Sequence, residues 1–140
     1  MIGVLVVAEA PAVRAGLVAL LRDQAQALQV RGSGRAITEP SAMRVLPHAD
    51  VAVLDAGAIR DLSDVLAPLE SAGVGLLVLG PSSLASQLVA ERPTVAWGVI
   101  PREADIAQMV PAIQAVAAGL LVLDPEVMLY DEPTTGLDPI

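Results

Sequence analysis

Four apolar residues, Val51-Ala52-Val53-Leu54, run unbroken between Asp50 and Asp55. The run is too short for a helix and offers no polar side chain to water. A strand of this kind is buried on both faces, as at the centre of a parallel sheet. Ile2–Val7 (IGVLVV) and Gly75–Leu79 (GLLVL) share its character. A sheet with two buried faces needs helices over both, and the segments between the runs supply them. At Asp55 the central strand gives way to a loop, Ala56-Gly57. In open α/β sheets, ligands and chemistry collect at the carboxyl ends of the strands, which makes Asp55 the best-placed acid in the chain.

The intervening segments read as helices. Pro11 cannot continue the first strand but suits the first turn of a helix. After it, Val13, Leu17, Leu20 and Leu21 recur at helical spacing, with Arg14, Arg22 and Asp23 outside the stripe. A short second strand is expected over 27–30, ended by Arg31-Gly32-Ser33-Gly34. A weak helix is expected over 41–46, entered at Pro40 and closed by Pro47. Residues 61–72 place Leu62, Val65, Leu66 and Leu69 on one face, with Gly73 as the stop. Ser82 or Ser83 can cap a helix running to about Glu91, and a fifth strand is expected over 94–100, ending at Pro101. Residues 105–118 are the most regular helical stretch: Ile106, Met109, Val110, Ile113, Val116 and Ala117 form one stripe. Asp105 lies at its N-terminus, where the dipole favours a carboxylate, and Gly119 ends it. Strand and helix thus alternate five times. With right-handed crossovers, the leading topology is a doubly wound, flavodoxin-like α/β fold: five parallel strands in the order 2-1-3-4-5, helices on both faces.

Composition narrows the function. The chain has 140 residues, enough for one domain with a tail. It has no cysteine, so disulfides and thiolate metal sites are excluded, and the single His48 argues against a histidine-based metal site or triad. With one Trp, one Tyr and no Phe, it lacks the aromatic surface that stacks on bases. The net charge is −8, and all eight basic residues are Arg. Such a domain is a poor nucleic-acid binder by itself, because phosphate contacts need a basic face. No apolar run approaches a membrane span, and the N-terminus enters a strand without the basic region of a signal peptide. The expected location is the cytoplasm, with no membrane partner.

Several stretches carry a family resemblance. Residues 4–17 (VLVVAEAPAVRAGL), Asp50 to Asp55 and Gly98-Val99-Ile100-Pro101-Arg102-Glu103-Ala104 resemble the first strand and helix, the phosphoacceptor strand and the fifth-strand exit of two-component receiver domains. Ala115-Val116-Ala117-Ala118-Gly119 resembles the end of their last helix. The similarity covers about residues 2–127 and is closest to the LuxR-type transcription-factor class; the fold it implies is CheY-like. In that family a histidine kinase donates a phosphoryl group to the strand-three Asp, here Asp55, with Mg2+ held by oxygen ligands. The metal ligands implied by position are Glu9, Asp55 and the carbonyl of Gly57. The implied phosphate-site positions are Gly80 and Arg102.

The departures from that pattern carry as much information. Ala8 stands in place of the first acid of the pair after strand one. Gly80 has no hydroxyl where the family carries Ser or Thr. Arg102 replaces the family's Lys, and its planar fork is not an equivalent of an ammonium. Val99 takes the position of the switch aromatic, with Trp97 two residues away. The expectation is a pseudo-receiver: Asp55 is hydrogen-bonded to the loop after it, Arg102 pairs with Asp55 or Glu9, and no cofactor is required. The alternative is a phosphorylatable receiver that uses Mg2+ with Glu9 as main ligand. A domain without phosphotransfer acts by binding and is not an enzyme. The resemblance implies a homodimer, a histidine kinase upstream, and DNA reached only through an output domain. No helix-turn-helix pattern follows Gly119, so the expected object is a lone receiver or a piece cut before its output domain.

The receiver-like domain is expected to span 1–126, leaving 127–140 as tail or linker. Residues 127–139 (VMLYDEPTTGLDP) closely resemble the Walker B strand and D-loop of ABC-transporter ATPases. In that family Asp131 would help hold Mg2+, Glu132 would activate the attacking water, and Gly136-Leu137-Asp138 would touch a partner subunit. A chain without lysine cannot carry the phosphate-binding loop G-x-x-x-x-G-K-[ST], and two carboxylates alone repel a nucleotide. The expectation is a fusion, a truncation or an acidic linker, with an ABC-ATPase fragment as the remaining alternative. Met128 to Tyr130 is expected to form an edge strand or lie on the sheet, with a mobile segment from Pro133 onward.

Overall fold

The computed structural model describes residues 1–123. The expected boundary at 126 and the tail with Asp131 and Glu132 lie outside the described residues. Within them, strands Ile2–Val7 (β1), Leu28–Gly34 (β2), Val51–Asp55 (β3), Gly75–Leu79 (β4), Trp97–Ile100 (β5) and Val122–Leu123 (β6) alternate with helices Pro11–Arg22 (α1), Pro40–Val45 (α2), Leu62–Ala72 (α3), Ser83–Glu91 (α4) and Ile106–Ala117 (α5). Every pairing is parallel, and the order is 2-1-3-4-5-6.

Side-chain alternation explains why the strands are apolar throughout. Val4, Val6, Val51, Val53, Leu77 and Leu79 point to one side and pack with Leu17 and Leu21 of α1 and Met109, Ile113 and Val116 of α5. Leu5, Val7, Ala52, Leu54, Leu76 and Val78 point to the other side, under α2, α3 and α4. No strand position in β3 or β4 is left for water. Asp55 has the parity of Val51 and Val53, so its carboxyl emerges on the α1 side.

The helix ends follow their local chemistry. Pro11 opens α1. Asp61 caps α3, accepting from the Ser63 backbone N–H at 3.0 Å and its hydroxyl at 2.7 Å. Those bonds, the hydroxyl first, hold the Asp61 carboxyl below its ordinary range. Gly73 closes α3 with φ +69°, a left-handed conformation that glycine adopts without Cβ strain. Asp105 and Gln108 form a reciprocal capping box at α5. Ser82 precedes α4, but its side chain makes no cap bond, which corrects the expectation of a serine cap there.

Other expectations also need correction. The sheet has a sixth strand: β6 pairs Val122 with Gly98, a two-residue ladder too short to leave a periodic signal. β2 continues through Arg31-Gly32-Ser33-Gly34, which had read as its end. A Cβ on Gly32 would meet Val45 at 2.5 Å, so the small residues let α2 lie on this strand. β5 begins at Trp97 rather than at 94, because the Thr94 N–H donates to Glu70 (2.8 Å). α2 ends at Val45, just ahead of Pro47, and Pro47 itself sits inside a 3-10 turn, Leu46–His48. Val13 and Leu20 are 43% and 45% exposed, so only Leu17 and Leu21 of the α1 stripe are fully buried. In α5 the alanine that joins Met109, Ile113 and Val116 in the core is Ala112 and not Ala117. Trp97 is buried in the layer under α2 to α4.

Two measurements test this packing. A Cβ on Gly75 would lie 2.5 Å from the Cγ1 of Val116. Gly75→Ala should therefore lower stability by about 1–3 kcal/mol, the range for overpacking. Adding Val116→Ala should return part of that loss in urea denaturation. Ahead of α2, the Ser41 hydroxyl (2.8 Å), the Arg35 N–H and the Arg35 guanidinium bind Glu39 and hold its carboxyl down to about 2 from an ordinary 4.5. A depressed pKa means that stability is gained above the unfolded value and lost as pH falls through the folded one. The difference in urea midpoint between the wild type and Glu39→Gln should be full above pH 4.5 and shrink toward zero near pH 2.

Candidate functional site

The carboxyl ends of β1, β3 and β5 bring four of the expected site residues to one cleft. Its volume is about 390 Å3, and Glu9, Val13, Asp55, Gly57, Leu79 and Arg102 are among the residues that line it. Asp55 is 7% exposed and is the one buried polar or charged residue among the described residues. A buried carboxylate must find donors, because desolvating it unpaired costs several kcal/mol. Asp55 has three. Arg102 Nε donates to Oδ1 at 2.8 Å, and Arg102 Nη2 donates to Oδ2 at 3.1 Å. The Gly57 N–H donates to Oδ2 at 3.1 Å, closing a 3-10 turn over Ala56–Ala58. The guanidinium meets the carboxylate fork to fork, the strongest geometry for such a pair. Of the two partners expected for Arg102, it takes Asp55 and not Glu9.

Gly57 fits tightly over this pair. A Cβ there would stand 3.0 Å from Asp55 Oδ2 and 3.3 Å from Arg102 Nη2. Its N–H points to Asp55. Gly80 ends up elsewhere: it is buried at the end of β4, its N–H donating to the Ile100 carbonyl (3.0 Å). A Cβ on Gly80 would meet Ala56 Cβ at 2.6 Å and Leu84 at 3.1 Å. Gly80 and Ala56 are therefore matched, each small because the other is close.

Glu9 is exposed and has its own cation: Arg60 Nη2 donates to its Oε2 at 2.6 Å. Sequence reasoning missed Arg60, which lies 51 residues away in the loop after β3. It also missed Arg14, whose Nη1 donates to the Ala8 carbonyl at 2.9 Å. Ala8 is fully buried, and its N–H donates to Gly34 (3.1 Å).

A hard divalent cation needs several oxygens with lone pairs turned toward one point. Here both Asp55 oxygens accept from N–H donors, Glu9 is turned to Arg60, and the Ala8 carbonyl is held by Arg14. Among the described residues, no three Asp, Glu or His side chains converge on a cation position. As arranged, the oxygens of both carboxylates are engaged by N–H donors, and Mg2+ would have to displace Arg102 or Arg60 to be held by them. What the arrangement does is neutralise: each of the two carboxylates has one guanidinium.

No family model and no curated protein matches the chain. Solved structures do. Response regulator ChrA of a heme-sensing two-component system is 22% identical with a TM-score of 0.69, over 99% of this chain and 67% of its own. A LuxR family DNA-binding response regulator from Silicibacter pomeroyi is 21% identical with a TM-score of 0.65, over 91% of this chain and 99% of its own. A LuxR family two-component response regulator from Aurantimonas sp. SI85-9A1 is 18% identical with a TM-score of 0.69, over 96% of this chain and 99% of its own. At these identities the likeness is one of architecture. The parallel sheet in the order 2-1-3-4-5-6, with helices on both faces, is the CheY-like receiver fold.

Proposed function

We propose that the chain is an atypical response-regulator receiver, a signalling module that works by protein–protein contact rather than by phosphotransfer at Asp55. The observation that carries this reading is the two-pronged pair between Arg102 and Asp55. An aspartate that accepts a phosphoryl group must turn an oxygen lone pair to the phosphorus atom. Here the guanidinium binds both oxygens and the Gly57 N–H binds Oδ2 as well, so three of the lone-pair sites are already taken. The position that would hold a phosphoryl oxygen by a hydroxyl is Gly80, and Ala56 closes it to any side chain. The site keeps its negative charge compensated in a single state.

The structural neighbours supply the context of the reading. One is described as part of a two-component system and another as DNA-binding. By that likeness, this chain receives its signal from a histidine kinase or an effector that replaces one, pairs with a second copy, and reaches DNA through an output domain. Its own net charge of −8 disfavours direct phosphate contact. Among the described residues no helix is long and apolar enough to cross a membrane; a cytoplasmic place of action belongs to the reading. The alternative, Mg2+-dependent phosphorylation of Asp55, draws on one observation: Glu9, Asp55 and Gly57 line the same cleft.

Acetyl phosphate and beryllofluoride, each with Mg2+, separate the two. The expected result is no added mass and no shift of the Gly57 amide resonance. Stoichiometric phosphoryl addition that disappears in Asp55→Asn would establish the alternative. A second test addresses the matched pair behind the site. Gly80→Ser should cost about 1–3 kcal/mol by overpacking against Ala56, and Ala56→Gly in the same chain should recover part of it by calorimetry.

A further inference from the structure

The cleft at the end of β3 is lined by two carboxylates, Asp55 and Glu9, and by the Arg102 guanidinium, while Arg60 reaches Glu9 from the exposed side. Asp55 binds Arg102 through two hydrogen bonds, and Glu9 binds Arg60 through one. We infer that Arg102 within the cleft and Arg60 beside it take the carboxylate oxygens that a divalent ion would need, and that the cleft is metal-independent because of them. The inference deepens the reading above and rests on the same Arg102–Asp55 pair, to which it adds Arg60 and a cause.

The two pairs differ in strength. Asp55 is 10% exposed at its side chain and the Arg102 side chain 56%, so this pair is partly desolvated and two-pronged. The side chains of Glu9 and Arg60 are 55% and 81% exposed, a setting in which an ion pair is weak and screened by salt. Arg102 is therefore the principal barrier to a cation and Arg60 the secondary one. Removing Arg60 alone frees one exposed carboxylate, which holds a divalent ion only weakly while Arg102 still covers Asp55. Removing Arg102 uncovers Asp55. Removing both leaves two carboxylates on one cleft without their guanidinium partners, and that arrangement favours an external cation.

The test is a titration with Mn2+ alone, read as paramagnetic broadening of the Glu9, Asp55 and Gly57 amide resonances and as heat by calorimetry. Folding of each variant is checked by circular dichroism. The wild type should show no saturable binding. Arg102→Ala should gain it, and Arg102→Ala with Arg60→Ala should bind at least about tenfold tighter than Arg60→Ala alone, the scale expected when a two-pronged charged partner is lost. Arg102→Gln, which keeps the side chain's bulk, should gain binding in the same direction. Arg44→Ala, an exposed arginine of α2, matches the change in net charge and should gain none. Saturable Mn2+ binding by the wild type at these amides overturns the inference. So does a folded double variant that binds no better than the wild type, or an Arg44→Ala variant that gains as much. Acetyl phosphate is absent from this titration, so its outcome is separate from whether Asp55 can be phosphorylated.

Discussion

A carboxylate stands at the end of a sheet that admits water on neither face, and Arg102 is what makes that tolerable. The strands on either side of Asp55, IGVLVV and GLLVL, carry no polar side chain, and the helices above and below them leave no solvent layer. An unpaired charge in that setting would raise the energy of the folded state by several kcal/mol. The guanidinium removes that penalty while its own outer edge stays in water. The Gly57 amide fixes the remaining direction, and the glycine is small enough to let the fork lie flat against it. The geometry of the cleft follows from satisfying this one acid.

The same economy of size governs the layers. With no Phe and one buried Trp, the helices approach the sheet closely, and close approach requires glycine where backbone meets side chain. Gly32 faces Val45, Gly75 faces Val116 and Gly80 faces Ala56. These contacts join the packing of the sheet to the chemistry of its edge. Gly80 is a packing residue, and its lack of a hydroxyl is set by a neighbour across the sheet end.

Much of this was legible in the residues alone, for identifiable reasons. β1, β3 and β4 are unbroken apolar runs with few alternative readings, and the three together dictate a parallel sheet covered on both sides. The α3 face was legible because Leu62, Val65, Leu66 and Leu69 recur at one period and all four are buried. β2 and β6 were misread or missed because edge strands bury only part of each residue and carry no clear alternation. In α1, Val13 and Leu20 fit the helical period but lie to one side of the Leu17–Leu21 stripe that meets the sheet. At the site, Asp55 and Arg102 announce themselves by standing at strand ends. Arg60 and Arg14 do not: a long flexible side chain that finds its partner across a fold leaves no mark in the spacing of a sequence.

The contact between Ala56 and Gly80 has a historical consequence. A serine or threonine at position 80 is overpacked while a methyl group occupies the opposite wall. The wall must shrink before the other residue can grow, and the first of those changes brings no benefit of its own. Any substitution path to a hydroxyl at position 80 therefore passes through an intermediate that packs worse than the present pair. The two residues are held together by sterics, as by a ratchet, independently of the aspartate beside them.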